Sequence, residues 1–462
     1  MERGGTQGIQ FVIQIVLARL LLPEDYGLIA LVVILITIAN VLVQSGLNTA
    51  LIQKKNADET DFSSVFYLSL FIAGVTYIVL YLTAPFIADF YKESQLIIIL
   101  RVLSIILFFN AVNSIQNAVI SRTMQFKRLF YSSIGGIIVS GIIGITMAYL
   151  DYGVWALVGQ QLSNNLIIMI ILWFIVKWSP KFIFSITRIK SLFSFGWKLL
   201  FSSLLDTIYS NGYSLIIGKI YNPQMLGYYN QGNQIPSLIV NNIDGSIQSV
   251  MLPALSAKQD DIFQVKSMVR RSIMMSSFVI FPLMMGLAVC AEPLVKILLT
   301  DKWLPCVPFL QLMCISYAFW PIHTANLQAI NALGRSDIFL KLEIIKKSAG
   351  LAALCISLPF GIYMMIGSQS FVSLISTIIN SLPNRKLLRY SFKEQWLDIM
   401  PSFMLSLAMG VITYSISLVD LSNVVILTLQ VLIGALIYFG LAYILKLECF
   451  NYLLKTLKNI TT

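Results

Sequence analysis

Polar and ionised side chains recur inside the longest apolar stretches of this chain, where each is costly. Arg3, Gln7, Gln10 and Gln14 stand in the first stretch, and steps of four, three and four put them on one helical face. Such a stripe either joins helices by hydrogen bonds or lines a watery cavity. Four long polar groups in one row exceed what packing needs, so they are read as cavity lining. A later stretch carries Lys198 near one end, where it can also snorkel to headgroups, and then Ser203, Asp206, Ser210 and Ser214 on one broad face. Asp206 falls about 20 Å along that helix, at about 1.5 Å per residue. The next stretch holds Asn241, Asn242, Asp244 and Gln248. Asp206 and Asp244 are the buried-acid candidates for ion coupling.

In LKLEIIKKSAG (340–350), Glu343 and Lys347 stand four apart, the spacing of an internal ion pair, which leaves Lys346 unpaired. A cation inside a membrane span is by default a functional hypothesis, and lysine can hold a phosphate as a point charge. Lys346 and Lys347 are therefore candidates for an anionic ligand. His323 is the only histidine. It is read as a hydrogen-bonded packing residue ahead of a titrating coupling site.

The motifs of hydrolytic and nucleotide chemistry are missing. There is no HExxH, no GxxxxGK[ST], no GxGxxG after a strand and no GxSxG. No soluble stretch is long enough for an ATPase domain, and no large loop offers a glycan-processing active site. Transport is favoured over enzymatic chemistry, and no cofactor is expected. The five cysteines lie in or beside apolar runs without CxxC spacing and are read as small packing residues.

These residues are carried by a membrane protein. Hydrophobic residues make up 57% of the chain and charged residues 11%, with mean hydropathy +0.81. Soluble domains carry about 25% charged residues. The net charge of +11 lies in loops between spans, so it reads as a topology determinant and not as a nucleic-acid surface.

Fourteen stretches are long enough to cross a bilayer as helices, giving an all-α polytopic membrane protein. They run over 4–22, 27–49, 63–88, 95–119, 131–150, 153–176, 192–219, 226–250, 270–299, 306–331, 338–358, 361–383, 398–418 and 422–445. Alternate loops differ in charge. One set is rich, as in Arg122/Lys127/Arg128 and Lys258/Lys266/Arg270/Arg271; the other, including PEDYG, LDYG and YNPQM, carries few cations. The positive-inside rule places the rich set and both termini in the cytoplasm. The basic, apolar stretch KWSPKFIFSITRIKSLF (177–193) is expected along the headgroups, joining two halves.

The halves are related. LARLLLPEDYGL (17–28) recurs as IGKIYNPQMLGY (217–228), with Pro23 matching Pro223 and Gly27 matching Gly227. Gln116, Arg122 and Phe126 find echoes in Gln328, Arg335 and Phe339, and LDYGVWALVGQQ (150–161) in LPFGIYMMIGSQ (358–369). Repeats of six spans each are related by an axis along the membrane normal. The expected organisation is a six-helix lobe (1–176), an amphipathic linker (177–191), a second six-helix lobe (192–383), a basic loop (384–397) and two additional helices with a tail (398–462). Pro282, Pro321 and the glycine-rich run 135–144 are read as kinks and close-packing points.

The stretch ERGGTQGIQFVIQIVLARLLLPEDYGLIAL, with FSSVFYLSL (62–70) and SRTMQFKR (121–128), resembles the polysaccharide-export branch of the MOP superfamily across essentially the whole chain. Members of that branch usually begin with a basic segment ahead of the first span, whereas this sequence starts inside that span; a misplaced start, a truncation and a complete chain with a short first helix are the open alternatives. The resemblance implies a flippase for undecaprenyl-diphosphate-linked repeat units of O-antigen, capsule or exopolysaccharide, in the bacterial plasma (inner) membrane. It implies two lobes rocking around a central cavity, with cavity cations holding the pyrophosphate. By position and type those cations are Arg3, Lys198, Lys346 and Lys347. A polysaccharide polymerase and chain-length machinery are the implied protein partners. The alternatives are an ion-coupled small-molecule or multidrug antiporter of the same superfamily, and a membrane enzyme such as a glycan polymerase.

Overall fold

A computed structural model describes residues 2–44 and 46–461, without the side chains of residues 2–4, Phe195, Leu454 and 456–461. The chain is all-helical, with no strand among the described residues. It folds as two compact units, Met1–Gly227 and Tyr228–Thr462.

The first unit contains α1 (Glu2–Leu20), α2 (Pro23–Gln44), α3 (Leu47–Gln53), α4 (Glu59–Tyr91), α5 (Leu96–Leu103), α6 (Ile106–Thr123), α7 (Lys127–Tyr149), α8 (Val154–Val176), α9 (Ile186–Ile220) and the first turn of α10 (Pro223–Ser256). The second continues with α11 (Ile262–Val289), α12 (Ala291–Leu299), α13 (Val307–Ala318), α14 (Trp320–Ala332), α15 (Ser336–Ser357), α16 (Ile362–Leu387), α17 (Phe392–Ser415), α18 (Asn423–Ile444) and α19 (Glu448–Thr461).

Ten of the described segments are long and apolar enough to cross a membrane. The stretches read at 4–22, 192–219, 226–250 and 338–358 fall on α1, α9, α10 and α15, which are not among the ten. These four carry the polar residues singled out above, and those residues lower their hydropathy. Some of the fourteen stretches expected from the sequence are broken. The fourth is α5 plus α6, the ninth is interrupted at Cys290, and the tenth breaks at Phe319 ahead of Pro321 at the start of α14. Pro282 lies inside continuous α11, so the break comes at Cys290 instead.

The repeat seen in sequence is a repeat of elements: α1 ends at Leu20 and α2 opens at Pro23, as α9 ends at Ile220 and α10 opens at Pro223. The two segments also meet. A Cβ on Gly27 would stand 1.7 Å from the Pro223 carbonyl oxygen, and one on Gly227 would stand 2.0 Å from that of Pro23. Only hydrogen in place of a side chain lets these backbones touch. The glycine-rich run packs as expected. Gly141 receives Ile13 of α1, and Gly136 receives Asn164 and Ile168 of α8.

The linker is irregular through residues 177–185, starting at Lys177 in the left-handed region, and its second half is already the start of α9 at Ile186. Ser63 and Ser64, both fully buried, accept hydrogen bonds from the Lys181 and Ser185 backbone N–H groups at 3.0 Å each. Gln116 Nε2 donates to the Trp178 carbonyl at 3.3 Å, and the Trp178 ring packs against Phe62 and Phe66. Arg122 closes this end of the unit. Its Nη1 donates to the carbonyls of Leu51 (2.9 Å), Ile52 (3.2 Å) and Lys54 (2.6 Å), and its Nη2 to that of Lys55 (3.2 Å). Those of Leu51 and Ile52 are carbonyls that the C-terminus of α3 leaves without partners, and those of Lys54 and Lys55 belong to the chain just after it.

Candidate functional site

The first-span stripe is only partly sheltered. Gln7 and Gln14 are half-buried and Gln10 is exposed, while Ile13, Leu17 and Ala18 form the buried face of α1. Arg3 lies outside the described side chains. On α9, Lys198, Ser203, Asp206 and Ser210 are exposed, and Ser214 is buried. α9 thus presents an exposed row of polar side chains alongside exposed Trp197, Phe201 and Leu205.

Asp244 differs. It is 6% exposed on α10, which runs unbroken past Gly245, and it accepts a hydrogen bond from Gln248 Nε2 at 2.9 Å. Thr324 and Trp320 of α14 lie beside the carboxyl, yet its Oδ1 makes no hydrogen bond of ordinary geometry. Asn241 and Asn242 on the same helix are exposed.

The expected Glu343–Lys347 pair is corrected. Glu343 pairs with Lys346 at i+3, and Lys347 makes contacts of its own. Lys346 is the more sheltered partner, with its side chain 15% exposed against 28% for Glu343. One turn offset suffices for this exchange, because i+3 and i+4 neighbours are nearly equidistant on a helix.

Lys346 is also an electrostatic neighbour of His323. The imidazole is buried and tied at both nitrogens. Thr377 Oγ1 donates to the Ser373 carbonyl (3.0 Å), so it accepts from His323 Nε2–H (3.2 Å), while Nδ1 accepts from Asn380 Nδ2 (3.2 Å). A separate buried amide group lies further along the same helices: Asn326 exchanges hydrogen bonds with Gln395 (2.9 and 3.1 Å) and accepts one from Asn384 (2.7 Å). Sequence reading missed Thr377, Asn380 and Asn384. Their signal was available: Ser370, Ser373, Thr377, Asn380 and Asn384 step by three and four along one face of α16.

In the second unit, Asp244 of α10 lies beside Trp320 and Thr324 of α14, while His323 of α14 meets the polar face of α16 with Lys346 of the α15 pair as its electrostatic neighbour. Such a site can hold an anion at its lysine and shelter a protonatable carboxyl. Among the described residues no cluster suits a metal ion.

This helical membrane protein resembles solved membrane transporters in fold. The model of the polysaccharide biosynthesis protein family matches residues 16–308, well over half of the 462, and the chain belongs to that family. It is 25% identical to the teichuronic acid biosynthesis protein TuaB of Bacillus subtilis (strain 168), over 82% of this chain and 79% of that protein. It is 23% identical to the lipopolysaccharide biosynthesis protein WzxC of Escherichia coli (strain K12), over 89% and 85% of the two. In fold it matches the lipid II flippase MurJ in an inward closed conformation, with TM-score 0.78 and 16% identity, over 96% of this chain and 97% of that one. An inward-facing multidrug resistance MATE transporter of the MOP superfamily gives TM-score 0.64 at 13% identity, over 82% and 94%.

Proposed function

We propose that the protein flips undecaprenyl-diphosphate-linked oligosaccharide repeat units from the cytoplasmic to the outer leaflet of a bacterial plasma membrane, for surface polysaccharide synthesis. The observation that carries this reading is that a polysaccharide-biosynthesis chain keeps its polar side chains in α1, α9, α10 and α15, four helices too polar to count among the ten apolar spans. Counted with those ten, they make fourteen spans. In this reading residues 1–176 and 192–383 form two six-helix lobes joined by the linker 177–191, and two helices follow the loop 384–397. Both termini are cytoplasmic.

The glycan headgroup crosses by alternating access, and the lipid tail stays in the bilayer. Arg3, Gln7, Gln10, Gln14 and Lys198 face the headgroup, and Lys346 and Lys347 meet its diphosphate. Asp206 and Asp244 couple the cycle to an ion gradient. The protein is a transporter and not an enzyme, and its partners are the lipid-linked glycan and the polymerase and chain-length machinery. Support comes from what similar proteins are named for: polysaccharide biosynthesis in TuaB and WzxC, and the flipping of lipid II in MurJ.

A second reading, an ion-coupled multidrug antiporter, draws on the MATE-like fold and the buried Asp244 carboxyl. Export complementation separates the two. The chain, with and without a basic N-terminal extension, is expressed in a cell lacking its own repeat-unit flippase. Restored surface polysaccharide supports flipping. Drug efflux without polysaccharide, from well-inserted protein, sinks it.

A further inference from the structure

We propose that a pocket between α11 and the C-terminal helix α19 binds the phosphate of an anionic membrane phospholipid, at the basic-loop end of the second unit. The cavity measures about 80 Å³ and is lined by Ser267, Arg270, Arg271, Met274, Met275 and Tyr452, with Glu448 and Cys449 completing the wall. The pocket is partly open, with Ser267 and Arg271 exposed at its mouth, so a phosphate group can enter from solvent or from the headgroup layer.

Its two arginines are not equivalent. Arg270 is engaged: its Nε donates to Asp398 Oδ2 (2.9 Å), its Nη2 to Oδ1 (2.8 Å), and Glu448 stands 3.5 Å away. Arg271 lies 4.9 Å over the Tyr452 ring and makes no hydrogen bond or ion pair among the described residues. The single carboxylate of the pocket thus faces Arg270 and leaves the charge of Arg271 unmet. A guanidinium stacked on an aromatic face is held still while its N–H edge stays open for two parallel bonds to phosphate oxygens. Ser267 stands one turn before Arg271 on the same face of α11 and is also without a hydrogen-bond partner among the described residues. Serine and arginine four apart can grip one phosphate together.

Polarity changes along α11 as a lipid demands. Met274 and Met275 lie one turn deeper, on the apolar side. Phe450 and Leu453 hold α19 against the Phe278–Tyr438 cluster. Beside them on α18, Phe439, Tyr443 and Ile444 are 51%, 67% and 71% exposed, an apolar track for an acyl chain. Cations at the mouth and thioethers below match a phosphodiester with its tails.

The test is lipid binding to the purified full chain by native mass spectrometry and thermal melting. The probes are phosphatidylglycerol, phosphatidylcholine and inorganic phosphate. Bound phosphatidylglycerol and a raised melting temperature are expected with the first and not the second, and Arg271→Gln weakens binding about tenfold. Arg271→Lys keeps the charge without the stacked fork and falls between. Lys190→Gln, on α9, leaves binding unchanged and controls for bulk charge. Phosphatidylglycerol binding that survives Arg271→Gln in folded protein overturns the site. Inorganic phosphate that displaces the lipid and melts the protein at the same raised temperature overturns the lipid as its occupant. Neither readout depends on glycan export.

Discussion

Gly27 and Pro223 meet backbone to backbone: the α-carbon hydrogens of Gly27 occupy the place where a methyl group would lie 1.7 Å from the Pro223 carbonyl oxygen. The repeat partners reciprocate, Gly227 against Pro23 at 2.0 Å. Two copies of one motif therefore lock the starts of α2 and α10 together, with carbonyl oxygens that cannot yield as a flexible side chain would.

Gly27→Ala is expected to force these turns apart, at a cost of about 1–3 kcal/mol typical of overpacking. Export falls sharply and the thermal midpoint drops. Gly8→Ala, in α1 with nothing within 4 Å of its added methyl, is tolerated. Equal behaviour of the two variants in export and melting assays contradicts the close contact.

Arg122 is the residue of SRTMQFKR whose loss should tell most. Arg122→Ala leaves four carbonyls at the end of α3 without their charged donor, a loss of roughly 2 kcal/mol. Lysine offers a point charge in place of the planar fork and recovers only part. Thermal melting and protease sensitivity near residue 54 report the change. Arg335→Ala, its repeat counterpart, has a smaller effect, because Arg335 bonds only the nearby exposed Asp337.

The clasp at the start of α4 should respond to acid. The Asp61 backbone N–H, donated to Asp58 at 3.0 Å, holds that carboxyl below the ordinary carboxylate range, with Arg188 adding to it. A depressed folded-state pKa contributes stability that is full above the unfolded value of about 4 and lost as pH falls through the lower folded value. Hydrogen exchange of residues 177–188 is expected to stay constant near neutrality and to quicken only below about pH 4. Asp58→Asn flattens that acid response. Quickening at pH 6 in the unaltered protein contradicts the assignment.

Lys346→Ala with Lys347→Ala is expected to abolish glycan export while membrane levels of the protein stay unchanged. Pairing with Glu343 makes the single Lys346→Ala informative as well, since it strands a carboxylate that Glu343→Gln in the same chain relieves. Export retained in the double-lysine variant removes both residues from the mechanism.

Asp206→Asn and Asp244→Asn separate the two coupling candidates. Asp206 is exposed, and buried Asp244 keeps one oxygen without a hydrogen bond of ordinary geometry. If either couples transport, its amide variant makes residual export insensitive to ionophores. Undiminished ionophore sensitivity in both variants leaves the coupling to other groups.

Much of this was legible in the chain alone. Charge-poor apolar stretches leave no fold but membrane helices, because backbone polar groups in hydrocarbon must bond within their own segment. The repeat was visible because Pro23/Gly27 and Pro223/Gly227 open helices through the same local turn chemistry, and local chemistry is written in local sequence. The polar rows of α1 and α9 followed from helical period.

Tertiary structure decided what depends on neighbours distant in the chain. Pairing of Glu343 with Lys346 over Lys347 rests on side-chain direction within packed helices. Arg122 reaches carbonyls at residues 51–55, and Ser63 and Ser64 catch the linker 177–185; no spacing rule links segments so far apart. His323 reads as an isolated histidine until α16 brings Thr377 and Asn380 to its two nitrogens. Arg270 and Arg271 are neighbours in sequence and alike in charge, yet only the fold sets Asp398 beside one and the Tyr452 ring beside the other. Period and composition fix which face of a helix is polar; only packing fixes what that face meets.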